Sequence, residues 1–500
     1  MKHTVIIVFT LVSLSLLAVI IKGRSIDIQN YQSVRDTSPT GPYEGSNSTS
    51  RFALTEAIVK YNTFLLTPEQ AKFSSPDVGK INNRYISVFT PGVSFLGVPF
   101  YLIGEKIGFP QLTTYFSITL LSFINALLII HLTYRKLKTS LPAAVISGFI
   151  FLFSTHALSY ATAFVQHHPT VTILLLALEI ISSPVSLLNN FLFGLLLGTG
   201  LLIDAPNSFM LFPMIIYNFI KQIDIKFITR RVSVSLNLKA LAVGIGLIPP
   251  IIFLGYYNSQ TTGSYIKLPQ FFGRAPEFNV SYIPTEYSES KIRSSLPYKS
   301  RQILNGLYIL LVSNERSWFY YSPVVAIGLL GLFLALKNPS HHDLAIVSIF
   351  SIAVTIISYS MFGDPWGGWS FGPRYLIPAT ALACLFIGHA LQRFGRNLIF
   401  ASVFFLTCLY SSYIAFLGAL TTNAVPPKQE AKMLPDPIPY TYKYNNQLLS
   451  KNTSGSLVYN LFLNQYLSAQ QLLIGLTLIS NLFILALYFS HLYDHKYKPS

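Results

Sequence analysis

The sequence predicts an all-α integral membrane protein that crosses the bilayer about twelve times. Only 11% of its 500 residues are charged, 51% are hydrophobic, and the mean hydropathy is +0.49. A soluble domain carries about 25% charged residues, so these are too few to solvate the surface of a soluble protein of this size. The apolar residues also fall in long runs, as membrane helices of about 20 residues require.

Twelve apolar runs are candidates for membrane spans. Several are shorter than an upright span needs, and those within 183–206 are joined by connections of only a few residues. The first run is followed by Lys22-Gly23-Arg24 rather than by the small residues of a signal-peptide cleavage site, so we interpret it as a retained span. The runs comprise residues 4–21, 112–132, 142–159, 168–183, 187–203, 206–220, 240–257, 321–336, 344–361, 375–391, 397–418 and 469–490.

Basic residues in the short loops predict the orientation. If the N-terminus is cytoplasmic, the short outer loops near 160–167, 204–205 and 362–374 hold one basic residue, Arg374. An excess of lysine and arginine marks cytoplasmic loops, so we expect a plasma-membrane protein with both termini in the cytoplasm. This loop bias accounts for the net charge of +16, which therefore does not indicate a nucleic-acid partner. The inner loops and the tail hold Arg135, Lys136, Lys138, Lys221, Lys226, Arg230, Arg231, Lys239, Lys337, Arg393, Arg396, Lys496 and Lys498.

Three long segments are predicted on the outer side: residues 22–111, 258–320 and 419–468. Long insertions on one face of a membrane protein are where function tends to be located. We divide the chain into residues 1–257, a membrane module with the first outer segment, and 258–500, a C-terminal transmembrane module with the other two. Helical patterning in the first outer segment predicts a short amphipathic helix at 50–59 and an interfacial one at 93–107.

The most informative segment runs from Gly363 to Pro378 and enters a span from the outer side. Its glycines permit tight turns whose main-chain N–H groups can face an anion. Arg374 is a forked donor suited to phosphate, and Trp366 and Trp369 suit either the face of a sugar or the headgroup level of the membrane. A structural turn at the interface with a snorkelling arginine is the alternative interpretation.

This segment carries a resemblance to a known family. The sequence WGGWSFGPRYL at 366–376 resembles the W-x-G-G-x-S-x-G-P-R-Y-L signature of bacterial polytopic glycosyltransferases. These enzymes form the GT-C class, with the protein mannosyltransferases and the lipid A aminoarabinose transferase as relatives. Weaker matches occur in order over most of 45–380: SRFALT at 50–55, NRYIS at 83–87, YAT at 160–162 with His167, Tyr257-Asn258, and Arg316 with YSP at 321–323.

The resemblance implies a substrate class and a reaction. Such enzymes take a sugar from a polyprenyl-phosphate carrier and transfer it, outside the cytoplasm, to a lipid, glycan or protein acceptor. Membrane lipids are the other expected partners. A secondary transporter or lipid-linked sugar flippase is the alternative, although transporters usually show repeated halves that we do not find in this sequence.

The resemblance also implies a catalytic acid four residues before Arg51, where this chain has Asn47. Because an amide cannot take a proton at neutral pH, the role moves to another acid, the asparagine suffices, or activity is lost. Glu44 is the nearest upstream acid and Asp36 the next. Asp204 lies at a predicted helix mouth, where it is either a functional acid or the N-cap of the next helix.

Glycosyl transfer needs a base for the acceptor hydroxyl and positive charge for the departing phosphate. Arginines or a divalent cation such as Mg²⁺ or Mn²⁺ supply that charge. The predicted ligands of the donor phosphate are Arg51, Arg84, Arg316 and Arg374. The predicted substrate-binding residues are His167, Tyr257, Asn258, Trp366, Trp369 and Tyr375.

Overall fold

The computed structural model describes residues 2–23, 41–228, 231–272, 275 and 298–497, and most of them are helical. Apolar helices in this part of the chain follow the twelve predicted runs in order. Six are long and apolar enough to cross a membrane alone: Lys2–Ile20, Pro110–Arg135, Leu241–Thr262, His342–Ser360, Leu398–Leu420 and Ala469–Tyr497.

The remaining runs form shorter or broken helices. One pair, Arg374–Cys384 and Ile387–Phe394, makes a span bent by 43°. Shorter apolar helices are Leu141–Phe153, His167–Ile181, Leu187–Ile203, Asn207–Ile220 and Val325–Leu336. These helices confirm the predicted all-α integral membrane class, whereas the orientation in the membrane and the division at residue 257 stay predictions.

Small residues allow two of the spans to pack closely. A Cβ added at Gly194 would lie 1.9 Å from the carbonyl oxygen of Val243, and one added at Gly246 would lie 2.0 Å from that of Phe191. Small residues at such crossings are typical of membrane helix pairs.

The other α-helices in the described residues are shorter and lie between the spans: Ser46–Tyr61, Pro68–Ser74, Gly92–Ile107, Ala157–Tyr160, Ile303–Leu311, Trp318–Tyr321, Lys428–Met433 and Lys443–Ser450.

Strands occur that the sequence analysis did not predict. In the first outer segment, β1 (Leu65–Leu66), β2 (Val78–Ile81) and β3 (Arg84–Ser87) form an antiparallel sheet in the order β1-β3-β2. The β2–β3 turn is Asn82-Asn83, with φ of 47° and 63°. Asparagine tolerates this left-handed conformation, which a two-residue hairpin turn requires. A second hairpin joins β4 (Ile223–Ile228) and β5 (Arg231–Leu236).

The outer helix, Ser46–Tyr61, starts four residues earlier than predicted and is not amphipathic. Every residue from Ser48 to Ala57 is buried. Ser50, where the predicted helix begins, lies inside the observed one, and its hydroxyl contacts the Ser87 hydroxyl at 2.8 Å and donates to the carbonyl of Asp77 at 2.8 Å. The outer helix is therefore enclosed by the rest of the outer segment, and it holds Asn47 and Arg51 inside the protein.

The third outer segment is fastened to the end of the first span. The backbone of Ser456 pairs with Lys22, and the N–H of Leu457 donates to the carbonyl of Ile21 at 2.9 Å. Near the start of the third outer segment, the side chain of Asn423 donates to the carbonyl of Ser159 at 2.7 Å. These contacts bring the first and third outer segments together over the helices that follow residue 140.

Candidate active site

A cavity opens where four outer parts of the chain meet. The first outer segment contributes Glu44 and Asn47, and the turn after the Ala157–Tyr160 helix contributes Thr162. The glycine-rich loop, residues 363–373, contributes Trp369, and Arg374 follows directly after it. The third outer segment contributes Asn423. The complete lining is Lys22, Gly41, Pro42, Glu44, Gly45, Asn47, Ser48, Tyr160, Thr162, Ala163, Val165, Trp369, Arg374, Asn423 and Ala424.

Glu44, the nearest predicted substitute for the missing acid, lies in this cavity. Its Oε1 is 3.2 Å from the Nζ of Lys22 and accepts the main-chain N–H of Asn423 at 2.7 Å. Its Oε2 is buried and has no hydrogen-bond partner in the described part of the chain. The carboxylate is thus held at one oxygen and unused at the other.

Asn47 lines the cavity and connects it to Arg51. Nη1 of Arg51 donates to both the side-chain and main-chain oxygens of Asn47, one turn earlier on the outer helix. Arg51 is fully buried, with its guanidinium 3.9 Å from the centre of the Phe89 ring. Its Nε and Nη2 have no hydrogen-bond partner among the described residues. Buried arginine donors are rarely left unpaired, so Nε and Nη2 are suited to bind an anion.

The surroundings of Arg51 contain both signs of charge. Burial lowers the pKa of Arg51 to about 10. The negative charges of Asp204 and Asp77 oppose this lowering, and the positive charge of Arg374 adds to it. The guanidinium therefore stays charged at neutral pH. Arg51 and Arg374 repel each other across a buried space, and a bound phosphate would relieve this repulsion.

Asp204 is half-buried between the Leu187–Ile203 and Asn207–Ile220 helices. Burial raises the pKa of its carboxyl above the ordinary 3.8, while Arg51, the Gln166 side chain and Arg374 oppose that rise. Asp204 is the C-cap of the first of these helices, and its main-chain carbonyl accepts the N–H of Asn207 at the start of the turn that follows. The N-cap of the second helix is Pro206, so the alternative prediction that Asp204 caps that helix is wrong. The structure brings this acid to the two arginines, but it does not line the cavity with Glu44.

Arg374 is presented by the glycine-rich loop. Gly367, Gly368 and Gly372 have φ of 75°, 60° and 63°, conformations that other residues rarely adopt. A Cβ at Gly367 would lie 3.0 Å from the Nε of Arg374. That Nε is buried without a hydrogen-bond partner among the described residues. The predicted role of the glycines, a tight turn with close approach, thus matches the geometry.

Arg316 has a different environment, although it was predicted to share the phosphate. It is fully buried and its donors are used within the protein. It hydrogen-bonds the Ser370 hydroxyl at 3.1 Å and four main-chain carbonyls, those of Glu315, Trp366, Val425 and Tyr440. Arg316 therefore joins the glycine-rich loop to the third outer segment, and we leave it out of the proposed phosphate site.

The other predicted residues fall into two groups. His167 is buried and edge-on to Tyr160 with its Nε2 unpaired, while Trp369 lines the cavity and donates to Glu430 at 2.5 Å. Four other predicted residues have structural partners. The Tyr257 hydroxyl donates to the carbonyl of Phe89, and the Asn258 amide donates to the carbonyl of Tyr265. The main-chain carbonyl of Trp366 accepts from the Arg316 side chain, and the ring of Tyr375 stacks on that of Tyr359. Arg84 is exposed at the start of β3, and Asp36 lies outside the described residues.

In the described part of the chain, no three His, Cys, Asp or Glu side chains come together in a way that suits a metal ion. Each acid of the site also has a cation as a neighbour: Lys22 beside Glu44, and Arg51 and Arg374 beside Asp204. This donor set does not fit a divalent cation, because the ion would replace charges that the protein already supplies.

Sequence reasoning missed three residues of the site: Lys22, Asn423 and Gln166. A lysine at the end of an apolar run is usually a snorkelling residue, so Lys22 gave no signal. Asn423 and Gln166 act through a main-chain N–H and an amide in turns between spans, where polar residues are common. The pairing of Lys22 with Glu44, 22 residues apart, follows only from the fold.

No protein-family model and no curated protein matches the sequence. Solved structures do match the fold. ArnT from Cupriavidus metallidurans, bound to undecaprenyl phosphate, has a TM-score of 0.50 and 13% identity, covering 97% of this chain and 75% of that one. The archaeal oligosaccharyltransferase AglB from Archaeoglobus fulgidus, with an inhibitory peptide and a dolichol-phosphate, has a TM-score of 0.45 and 12% identity, covering 88% and 60%.

The likeness to ArnT extends over nearly the whole chain. At 13% identity it concerns the fold, and it confirms the GT-C-like architecture that the sequence resemblance implied.

Proposed function

We propose that the chain is a membrane glycosyltransferase that moves a sugar from a polyprenyl-phosphate donor to a lipid, glycan or protein acceptor on the extracytoplasmic side. The observation that carries this proposal is the meeting of unused arginine donors with an unused carboxylate oxygen. Arg374 and Glu44 line one cavity, and Arg51 lies behind it, bound to Asn47. The likeness to a lipid-phosphate-binding ArnT structure supports it.

Arg51 and Arg374 are the proposed phosphate ligands. Nε and Nη2 of Arg51 and Nε of Arg374 are donors without a partner in the described part of the chain, and a charged phosphate oxygen is the acceptor that such donors bind most strongly. As the sugar leaves, negative charge grows on the phosphate, so the same bonds become stronger in the transition state. The buried setting of Arg51 increases this effect, since water does not screen it.

Glu44 is the proposed base. The acceptor hydroxyl oxygen attacks the anomeric carbon, the bond from that carbon to the phosphate oxygen breaks, and its electron pair stays on the phosphate. The hydroxyl proton passes to Oε2 of Glu44, which is the carboxylate oxygen without a partner in the described residues. The products are the glycosylated acceptor and the free polyprenyl phosphate, and no step needs a divalent cation.

Membranes from cells that express the chain test this proposal, because they supply the acceptor. They are incubated with a panel of radiolabelled polyprenyl-phosphate sugars, and label is measured in the lipid, glycan and protein fractions. Wild-type membranes should transfer label into one fraction, and membranes with Glu44→Gln or Arg374→Ala should not. Equal labelling with all three and with control membranes would contradict the proposal, and movement of the donor between leaflets without transfer would favour a flippase.

A further inference from the structure

Lys22 is a buried cation that the proposed chemistry does not use. Its side chain is only 2% exposed although it directly follows the first span. Lysines in that position normally extend their ammonium group to water or headgroups. Here the ammonium instead points into the cavity, 3.2 Å from Oε1 of Glu44, whose side chain is 8% exposed.

The main chain around Lys22 is fixed by the first span that precedes it and by hydrogen bonds to the third outer segment. The first span ends at Ile20, and the backbone of Lys22 then pairs with Ser456 in the third outer segment. The N–H of Leu457 donates to the carbonyl of Ile21, and the hydroxyl of Ser456 donates to that of Val19. A flexible loop would let the lysine reach solvent, whereas this pairing holds its main chain beneath the third outer segment.

A second donor binds the same oxygen of Glu44. The main-chain N–H of Asn423 lies 2.7 Å from Oε1, and the Asn423 side chain is itself fastened to the carbonyl of Ser159 at 2.7 Å. Oε1 therefore has two donors and Oε2 none among the described residues. A carboxylate held in this way has one defined orientation, with Oε2 left over for a proton.

We infer that Lys22 and the main chain of Asn423 are positioning residues that hold Glu44 so that its Oε2 faces the acceptor hydroxyl. This inference rests on the proposed function. The ammonium also balances a buried carboxylate that would otherwise be costly to keep charged. When Oε2 takes the acceptor proton, Lys22 is left with an uncompensated positive charge in the cavity that Arg374 lines, just as the leaving phosphate gains negative charge.

Kinetics of the full-length chain in membranes from cells that express it, which supply the acceptor, distinguish this role from phosphate binding. Lys22→Met should lower kcat about 10- to 100-fold and leave the KM for the polyprenyl-phosphate sugar within about twofold, because positioning acts on the transition state. Lys22→Arg should recover most of the loss, since it keeps the charge. Added to Glu44→Gln, Lys22→Met should cost nothing further. The control is Lys60→Met, which breaks the half-exposed ion pair with Glu56 at 3.1 Å outside the cavity.

Three results would overturn the inference: an unchanged kcat in Lys22→Met, a raised donor KM with weaker binding of polyprenyl phosphate, or a loss that multiplies with that of Glu44→Gln. If the wild type transfers no sugar, the proposed function fails, and thermal unfolding then decides on the pairing itself. Lys22→Met and Glu44→Gln together should destabilise less than the sum of the two single changes. Additive destabilisation would show that the pair does not exist.

Discussion

Two fully buried arginines of this chain have opposite surroundings. Arg316 uses its guanidinium on four main-chain carbonyls and a serine hydroxyl, and so joins two outer segments. Among the described residues, Arg51 donates only to Asn47, and its Nε and Nη2 have no partner. Both arginines lie in motifs that resemble the same family. Donors without a hydrogen-bond partner, rather than burial or a sequence motif, therefore distinguish an arginine that can bind an anion from one that stabilises the fold.

The largest effect is expected from Arg316→Met. It would remove a donor from four carbonyls, of which those of Trp366 and Val425 keep a bond from Ser370 while those of Glu315 and Tyr440 lose the guanidinium. Each carbonyl left unsatisfied in the interior costs about 1–3 kcal/mol. We expect a loss of stability of about 3 kcal/mol or more, measured as loss of the monodisperse peak in size exclusion of a fluorescent fusion. Arg51→Met, the matched change, removes unpaired donors and should still fold. Equal yields of both variants would break the comparison.

Glu44→Gln applies the same comparison to an acid, whose Oε2 has no hydrogen-bond partner among the described residues. The amide keeps the size and polarity of the side chain but takes no proton, so turnover should fall by about two to four orders of magnitude. Donor binding should persist, since the arginines are unchanged. The measurement is initial rate against donor concentration, with the exposed Glu105→Gln as control. Activity near wild type would move the base to Asp204 or Asp36, whose Asp→Asn variants would then be inactive.

Arg374→Lys sharpens the comparison by keeping charge and removing the fork. A lysine lacks a donor at the place of the unpaired Nε, so affinity for polyprenyl phosphate should fall about tenfold, or about 1.4 kcal/mol. The assay is titration of polyprenyl phosphate into nanodiscs with intrinsic fluorescence as readout. Arg84→Lys, at an exposed position, should bind as the wild type does. A loss in both variants would indicate a general charge effect.

The smallest effect concerns Asp204. Its pKa is raised in the folded protein, so the protonated carboxyl is favoured at low pH and stability is lost as the pH rises through the raised value. Asp204→Asn should therefore melt about 2 °C higher than wild type at pH 7, with the difference vanishing as the pH falls toward 3.8. The exposed Asp436→Asn should show no such trend. A difference independent of pH would mean that folding does not shift the pKa of Asp204, and a variant that melts below wild type at pH 7 would mean that Asp204 is stabilised as an ion.

Much of the fold could be predicted because hydrophobic run length and loop charge act locally. The twelve apolar runs and the glycine-rich turn follow from residues within 20 positions of one another. The strands of the first outer segment escaped because their signal is two asparagines at 82 and 83 rather than an Asn-Gly pair. The site was predicted in part: Arg51 and Arg374 have unused donors, but the saturation of Arg316 by Val425 and Tyr440 depends on contacts more than 100 residues apart.

We propose that a lipid phosphate is held by the donors of Arg51 and Arg374 that have no partner among the described residues. The most direct test is the unfolding temperature of the purified chain with and without polyprenyl phosphate, since a ligand that binds the folded state raises it. We expect a clear rise for wild type and Arg84→Lys, and little or none for Arg51→Met and Arg374→Lys. The same rise in all four proteins would contradict it.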